Sequence, residues 1–301
     1  MVETLDFSKK LVFEGHSGAI YSLQYDGQFI YSASADKYVV RWNLATGEQD
    51  KFAIRLPATP YSIQLIDQQS KLVTGLSNGD LHIFDLTERK EIKFYKLHKK
   101  GVFALTENPL KQQFYSADGD GTLSVWDVQT LELLIQLPFD CGKIRRIIPS
   151  KDGSLIYICC QDGNIRCIDT TYFNLIDVFF AHEGGTGTVL EWDKQVLLTG
   201  GKDAHINLLD IPSKSYFKRI PAHNYMIYDL IRLTDQLVVS VSRDKTIKIW
   251  NTEDWSVLQR LDLKKGGHRH SVNCAVKIND RTFATASDDA RIIVWEVSSG
   301  E

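Results

Sequence analysis

The chain has 301 residues, 43% of them apolar and 24% charged, with 35 basic against 38 acidic side chains for a formal net charge of −3. That composition is ordinary for a globular protein, and the slightly acidic balance disfavours nucleic acid or an acidic membrane surface as a bulk electrostatic partner. Length alone suggests about two domains, an expectation that an internal repeat overrides.

The opening residues, Met-Val-Glu-Thr-Leu-Asp, have neither a basic cluster nor an apolar run, and no stretch nears the roughly 20 apolar residues of a membrane span. Export is not expected, and the chain reads as cytoplasmic with the nucleus left open. Between Asp6 and Glu14, Leu11-Val12-Phe13 is a short run suited to a strand. Four strands follow. Ala19 to Tyr25 (strand a) turns at Asp26-Gly27 into Phe29 to Ser34 (strand b). Asp36-Lys37 turns again into Val39 to Asn43 (strand c), and Thr46-Gly47 leads into strand d. Short alternating runs joined by polar turns are β-hairpins.

The same unit recurs to the end of the chain. Six residues separate a turn residue from a bulky strand-c residue in seven pairs: Asp36 and Trp42, Asn78 and Phe84, Asp120 and Trp126, Asp162 and Ile168, Asp203 and Leu209, Asp244 and Trp250, Asp289 and Trp295. Successive intervals are 42, 42, 42, 41, 41 and 45 residues. Repeats of about 40 to 45 residues with four strands each are β-propeller blades. The expected fold is therefore all-β, a seven-bladed propeller of four-stranded antiparallel blades occupying residues 1–301 as a single domain. After Trp295-Glu296 too little chain remains for a last strand d. Residues 1–14 are expected to supply that outer strand of blade seven and close the ring, because an open sheet edge must be covered.

Gly15-His16, Asp36 and Trp42-Asn43 resemble the WD-repeat family, and the resemblance covers essentially the whole chain. It implies a hydrogen-bonded network in each blade among a loop His, a strand-b Ser or Thr, the turn acid and the strand-c Trp. Full sets occur four times: His16, Ser32, Asp36 and Trp42; His98, Ser116, Asp120 and Trp126; His223, Ser240, Asp244 and Trp250; His268, Thr285, Asp289 and Trp295. The chemistry supports such networks, since a carboxylate accepts from an imidazole N–H, and a hydroxyl can bridge imidazole and indole. Ser, His and Asp also spell a hydrolase triad, but a triad occurs once and this set recurs at fixed spacing. Repeats two and four lack the loop His, and repeat five has Leu209 for Trp. Blades two and four are thus expected to rest on apolar packing. Trp192-Asp193 spells the family dipeptide out of register.

Other candidates are weaker. Gly184-Gly185-Thr186-Gly187-Thr188 lacks the Lys-Ser/Thr ending of a phosphate loop and reads as a flexible interblade loop. Lys264 to His270, the lengthened connection, reads as a solvated, mobile loop. The cysteines (Cys141, Cys159, Cys160, Cys167, Cys274) are five in number, lack metal-ligand spacing, and read as small hydrophobes of a reduced protein. No cofactor, metal site or catalytic residue is expected.

Register gives the sharper signal. In the family, strand a lines the central channel and its first residues border a face that grips peptides. The residue five positions after the loop His, or its equivalent, is Tyr21, Tyr61, Phe103, Arg145, Gly187, Tyr228 or Asn273. The residue before each turn acid borders the same face: Ala35, Ser77, Gly119, Gln161, Lys202, Arg243 and Asp288. Together these predict an aromatic arc beside a basic sector of Arg145, Lys202 and Arg243, residue types that dominate binding hot spots. The competing reading is that the aromatics pack between blades. The expected function is a non-enzymatic scaffold that binds other proteins, with an acidic or aromatic-anchored peptide suiting the face. The alternative is small-ligand binding or an enzymatic activity at the channel mouth.

Overall fold

A computed structural model describes residues 6–298. Of the expected closing segment 1–14, residues 1–5 lie outside the described residues. The chain folds as a seven-bladed β-propeller of four-stranded antiparallel blades. After β1 (Asp6–Glu14), the first blade holds β2 (Ile20–Tyr25), β3 (Phe29–Ser34), β4 (Tyr38–Asn43) and β5 (Glu48–Arg55). The second holds β6 (Pro60–Ile66), β7 (Lys71–Leu76), β8 (Asp80–Asp85) and β9 (Lys90–Lys96), and the third β10 (Val102–Asn108), β11 (Gln113–Asp118), β12 (Thr122–Asp127) and β13 (Leu133–Pro138). The fourth holds β14 (Ile144–Pro149), β15 (Leu155–Cys160), β16 (Asn164–Asp169) and β17 (Leu175–Phe180). The fifth holds β18 (Thr186–Glu191), β19 (Val196–Gly201), β20 (His205–Asp210) and β21 (Ser215–Pro221). The sixth holds β22 (Ile227–Arg232), β23 (Leu237–Ser242), β24 (Ile247–Asn251) and β25 (Val257–Leu261). The seventh is built from β26 (Val272–Asn279), β27 (Thr282–Ser287) and β28 (Arg291–Ser298), with β1 as its outer strand.

The blades group into two compact units. One comprises blades two to five, Leu56–Ala222, and the other the chain up to Arg55 together with His223 onward. Each unit has its own apolar clusters. In the first, Tyr115, Ile144, Ile158 and Ile168 pack together, as do Val73, Ile83, Phe114 and Trp126. In the second, Phe7 joins Val239, Ile249, Phe283 and Trp295, and Phe13 joins Ile30, Trp42 and Val294.

Turn chemistry sets each b–c hairpin. The side chain of the turn residue accepts the N–H two residues on in every blade but the third, as Asp36 does from Tyr38 at 3.0 Å and Asp162 from Asn164 at 2.9 Å; in the third Asp118 accepts the Thr122 N–H instead. The residue after the turn residue takes a left-handed conformation in every blade, from Ala290 at φ 62° to Gly163 at φ 92°. Gly163 has a second reason to be glycine, because a Cβ there would fall 2.1 Å from the carbonyl oxygen of His182.

β1 covers the exposed edge of β28 from Asp6 opposite Ser298 to Glu14 opposite Arg291, with a bulge between Lys9 and Leu11. Its inward residues are Phe7 and Phe13, each 2% exposed. Phe7 packs on Phe283 at 5.6 Å between ring centroids, and Phe13 on Trp42 of the first blade at 5.3 Å.

Two expectations are corrected. Only Gly184 and Gly185 lie outside the sheet, Gly184 in a turn with Glu183, while Thr186 to Thr188 belong to β18, where Thr186 and Thr188 are buried and the Thr186 hydroxyl donates to the Gly163 carbonyl at 2.9 Å. Strand pairing claims those residues despite their glycine content. The Lys264 to His270 connection contains a 3₁₀ turn, Leu263–Lys265, whose first N–H groups are capped by Asp262 and whose exit is Gly266 at φ 77°. Among the described residues no helix is long and apolar enough to cross a membrane.

Removal of residues 1–14 exposes the β28 edge and the faces under Phe7 and Phe13. The truncated protein is expected to melt well below the full chain. Phe7→Ala and Phe13→Ala should each cost about 3–5 kcal/mol of stability, the usual range for a buried Phe. Chemical denaturation measures both, and unchanged midpoints would refute the closing role of β1.

Candidate functional site

In blades one, six and seven, polar groups buried at the loop end of the sheet form the network expected from the sequence. The His16 Nδ1 lies 2.7 Å from Asp36 and its Nε2 lies 2.8 Å from the Ser32 hydroxyl, which in turn accepts the Trp42 indole N–H at 2.7 Å. A carboxylate only accepts and an indole only donates, so the roles follow. Nδ1 carries the proton toward Asp36, and the Ser32 hydroxyl donates to Nε2. His223, Ser240, Asp244 and Trp250 repeat this at 2.7–3.0 Å, and His268, Thr285, Asp289 and Trp295 at 2.9–3.0 Å.

The third blade departs from the expectation. His98 Nδ1 faces Asp118 at 3.2 Å, not Asp120, while Ser116 takes its usual place between His98 and Trp126. Asp118 is the last residue of β11, buried beside the imidazole, and it also accepts the Asp120 and Thr122 N–H groups. Asp120 is exposed. Only Asp120 keeps the six-residue spacing to Trp126, but both acids lie 20 to 22 residues after His98, and burial selects Asp118. The fifth blade keeps His182, Thr199 and Asp203, with Leu209 where Trp would stand.

None of these hydroxyls can act as a nucleophile on a substrate. Ser32, Ser116, Ser240 and Thr285 are 0% exposed, and each spends its lone pair on an indole N–H. Burial pushes His16 and His223 below the usual histidine value, with the facing aspartates opposing that effect. Burial opposes charge on Asp36, Asp118, Asp203, Asp244 and Asp289 as well. The imidazoles and backbone N–H groups outweigh it there and hold all five below the usual carboxylate value.

The seven residues predicted to border the partner face share one backbone feature. Strand a carries a register shift at Tyr21, Tyr61, Phe103, Arg145, Gly187, Tyr228 and Asn273, one in each blade. A bulge leaves its extra residue outside the ladder and re-aims the side chain. The residue before each turn acid lies alongside. Its N–H reaches the carbonyl two residues before the bulge in all seven blades, from Ala35 to Ala19 at 2.8 Å to Asp288 and Ser271 at 3.0 Å.

In blades two and three the bulge residues come together, and Lys143 at the start of blade four joins them. Tyr61 and Phe103 stack at 4.8 Å with their planes 17° apart, and the Lys143 ammonium sits 3.7 Å above the Phe103 ring. Gly101 and Gly119 make room, since a Cβ on either would touch the Tyr61 or Phe103 ring at 2.9–3.1 Å. The Lys143 N–H reaches the Gln161 side chain at 3.3 Å. Burial lowers the Lys143 ammonium below the usual lysine value and the nearby Arg145 lowers it further. Lys202 and Gln161 are exposed, Arg145 is half-buried, and Gly187 is buried and contributes backbone alone.

The other unit holds the remaining predicted residues. The Asn273 amide is engaged internally, donating to the Ile20 carbonyl at 2.9 Å and to Asp288 at 2.8 Å. Arg243 lies 5.9 Å from the ring of the exposed Tyr225, and Tyr21 and Tyr228 are half-buried. The aromatic row thus both packs and faces outward, with Asn273 the clearest packing residue. Lys143 was absent from the sequence reading. Its signal was available, because the residues two before the other bulges (Ala19, Thr59, Gly101, Gly185, Met226, Ser271) carry no charge. Among the described residues, no group of three or more His, Cys, Asp or Glu is placed to hold a metal ion.

Comparison with known proteins adds family. The profile described as WD domain, G-beta repeat matches residues 7–43, 89–127, 214–251 and 258–296. These four segments end on the strands that carry Trp42, Trp126, Trp250 and Trp295; the unmatched repeats carry Phe84, Ile168 and Leu209 there. The chain is 24% identical over 232 residues to WD repeat-containing protein 55 of Arabidopsis thaliana, covering 76% of this chain and 66% of that protein. It is 23% identical over 258 residues to an uncharacterised WD repeat-containing protein of Schizosaccharomyces pombe, covering 66% and 69% respectively. A third relative is the human kinesin-like protein KIF21A, 22% identical over 323 aligned positions that cover 95% of this chain and 19% of the kinesin. The chain thus spans about two thirds of the first two relatives and about a fifth of the third.

Two measurements check the networks. His16 and His223 bind protons more weakly folded than unfolded, so their stabilising contribution is complete above pH 6.5 and declines as pH falls below it. The aspartates likewise contribute fully above pH 3.8 and lose that contribution as pH falls further. The melting temperature should be level above about pH 7, fall below pH 6.5 and fall more steeply below pH 4, and His223→Asn should flatten the first descent. In hydrogen exchange, blades two and four, which lack the His–hydroxyl–Trp set, should open more readily than blades one, six and seven. Uniformly slow exchange in all seven would contradict that assignment.

Proposed function

The chain belongs to the WD domain, G-beta repeat family, and from that membership we propose that it is a non-enzymatic platform which binds a segment of another protein across the bulged ends of its strands a. WD-repeat proteins serve generally as protein-interaction scaffolds. The observation that carries the finer reading is the Tyr61–Phe103 stack with Lys143 on the Phe103 ring. A flat aromatic surface offers much apolar area at little conformational cost. The Lys143 ammonium rests on a ring rather than against a carboxylate, with Arg145 adding like charge. An extended segment bearing an acidic residue next to an aromatic or aliphatic one fits both features. The acid neutralises the Lys143–Arg145 repulsion, and the neighbouring side chain covers the Tyr61 and Phe103 rings.

The test is quantitative capture from native lysate by wild type, by Phe103→Ala/Lys143→Ala/Arg145→Ala, and by Tyr172→Ala, a surface change elsewhere on the same unit. Circular dichroism establishes that all three remain folded. Partners retained by Tyr172→Ala should weaken at least about tenfold with the triple variant, the scale expected when hot-spot residues are truncated. Their binding to wild type should also fall with rising salt. Equal capture by the triple variant would assign the aromatic row to packing.

A further inference from the structure

The fourth blade lacks the loop histidine, and a different pair of side chains occupies its place. Cys141 lies 21 residues before the turn acid Asp162, within the 20 to 22 residues that separate His from acid in the other blades. Cys160 is the last residue of β15, the position that Asp118 holds in β11. Where the third blade sets imidazole against carboxylate, the fourth sets thiol against thiol. Cys141 and Cys160 belong to one apolar cluster and are 3% and 0% exposed. Each thiol donates to a nearby carbonyl, Cys141 to Gly142 at 3.4 Å and Cys160 to Ile158 at 3.8 Å, and the two thiols interact electrostatically with each other. The backbone brings their segments together independently of the side chains. The Cys141 carbonyl accepts the Asp162 N–H at 3.2 Å, the Lys143 carbonyl accepts the Gln161 N–H at 2.9 Å, and Ile144 is paired with Cys160 across the β14–β15 ladder.

We propose that Cys141 and Cys160 form an oxidisable dithiol site that takes hydrogen peroxide and closes to an intramolecular disulfide. Cys141, the less buried of the two and set in a loop with Gly142 at φ 64°, meets the oxidant first. The Arg166 guanidinium lies within electrostatic reach of both sulfurs and favours a thiolate, and its Nη1 is buried without a hydrogen-bond partner. The neighbouring Cys160 thiol and Arg166 draw the Cys141 thiol down against burial and the nearby Asp162 and Asp140, while Cys160, the more deeply buried, is pushed up; with its loop position this makes Cys141 the nucleophile and Cys160 the resolving group. The Cys141 sulfur attacks one peroxide oxygen, the O–O bond breaks, and a sulfenic acid forms as the departing hydroxide takes the Cys141 proton to become water. The Cys160 sulfur then attacks the sulfenic sulfur and expels its hydroxyl, which leaves as a second water with the Cys160 proton. Two thiols are oxidised and one peroxide is reduced to two waters. The new bond ties the loop that carries Lys143 to the strand end that precedes Gln161. That stiffening holds whatever binds at those residues.

The experiment treats the folded full-length chain with graded hydrogen peroxide, alkylates it under denaturing acid quench, and maps cysteine peptides by mass spectrometry. A dithiothreitol-reversible cross-link between the Cys141 and Cys160 peptides is the expected result, with Cys159, Cys167 and Cys274 still alkylated. Hydrogen exchange of Phe139 to Lys143 should slow by about tenfold or more in the oxidised protein, since a disulfide suppresses local opening. Cys160→Ala should divert Cys141 to a dimedone-reactive sulfenic acid. Cys159→Ala, at the neighbouring strand position, should leave the cross-link intact and controls for core disruption. Full alkylation of both cysteines at peroxide levels that oxidise a free thiol would overturn the proposal, as would a cross-link to any other cysteine.

Discussion

The hydrogen bond from a buried imidazole to a carboxylate at the neighbouring turn holds the loop end of most of these blades in place. It joins the loop before strand a to the turn after strand b, and between those two points lie both the bulge and the residue that borders it. A buried polar group is costly unless satisfied, so a chain that commits His, Asp, Ser and Trp to one dry corner must place all four together. In blades one, six and seven it does so with the turn acid itself. In the third, Asp118 at the end of strand b faces the imidazole at 3.2 Å without a well-aligned hydrogen bond, and the turn acid Asp120 is released to solvent. The requirement is for an acceptor beside Nδ1, and more than one backbone position can provide it.

Where the set is incomplete, packing substitutes. The fourth blade has Ile158 and Ile168, both 0% exposed, where hydroxyl and indole would be, and a pair of thiols where imidazole and acid would be. Replacing hydroxyl and indole together leaves neither without its partner, which is why such a blade can keep the same strand register. The family profile matches the four repeats that end in tryptophan and passes over the three that do not, although all seven blades share one topology. Shape is common to the seven; the polar signature belongs to a subset.

Bulges convert this scaffold into a surface. A regular strand a would turn Tyr61, Phe103 and Arg145 into the alternation of the sheet, whereas an extra residue in each strand lets them stand outside it. Stacking of Tyr61 on Phe103, with Lys143 above, then concentrates aromatic area and positive charge on one part of the molecule. The same register places the Asn273 amide on Ile20 and Asp288, where it joins neighbouring strands instead. One backbone device thus serves cohesion at some positions and exposure at others, and the side chain decides which.

Much of this was legible in the sequence because it is local. A period of about 42 residues, turn acids six residues before a bulky strand residue, and inward alternation specify blades, strand boundaries and the outer role of β1. Spacing also picked out the seven residues at which the bulges fall, since each lies five positions after the loop histidine or its equivalent. Through-space neighbours were not determined in this way. Asp118 and Asp120 both lie at the right distance from the loop histidine, and burial at the end of β11 chose between them. Lys143 reaches Phe103 because two adjacent strands bring residues 40 apart in sequence together. Cys141 and Cys160 meet because a loop folds back over the end of β15. Sequence period dictates the ladder within a sheet, while contacts between loop ends depend on how bulges and turns aim their side chains, and only the tertiary structure decides that.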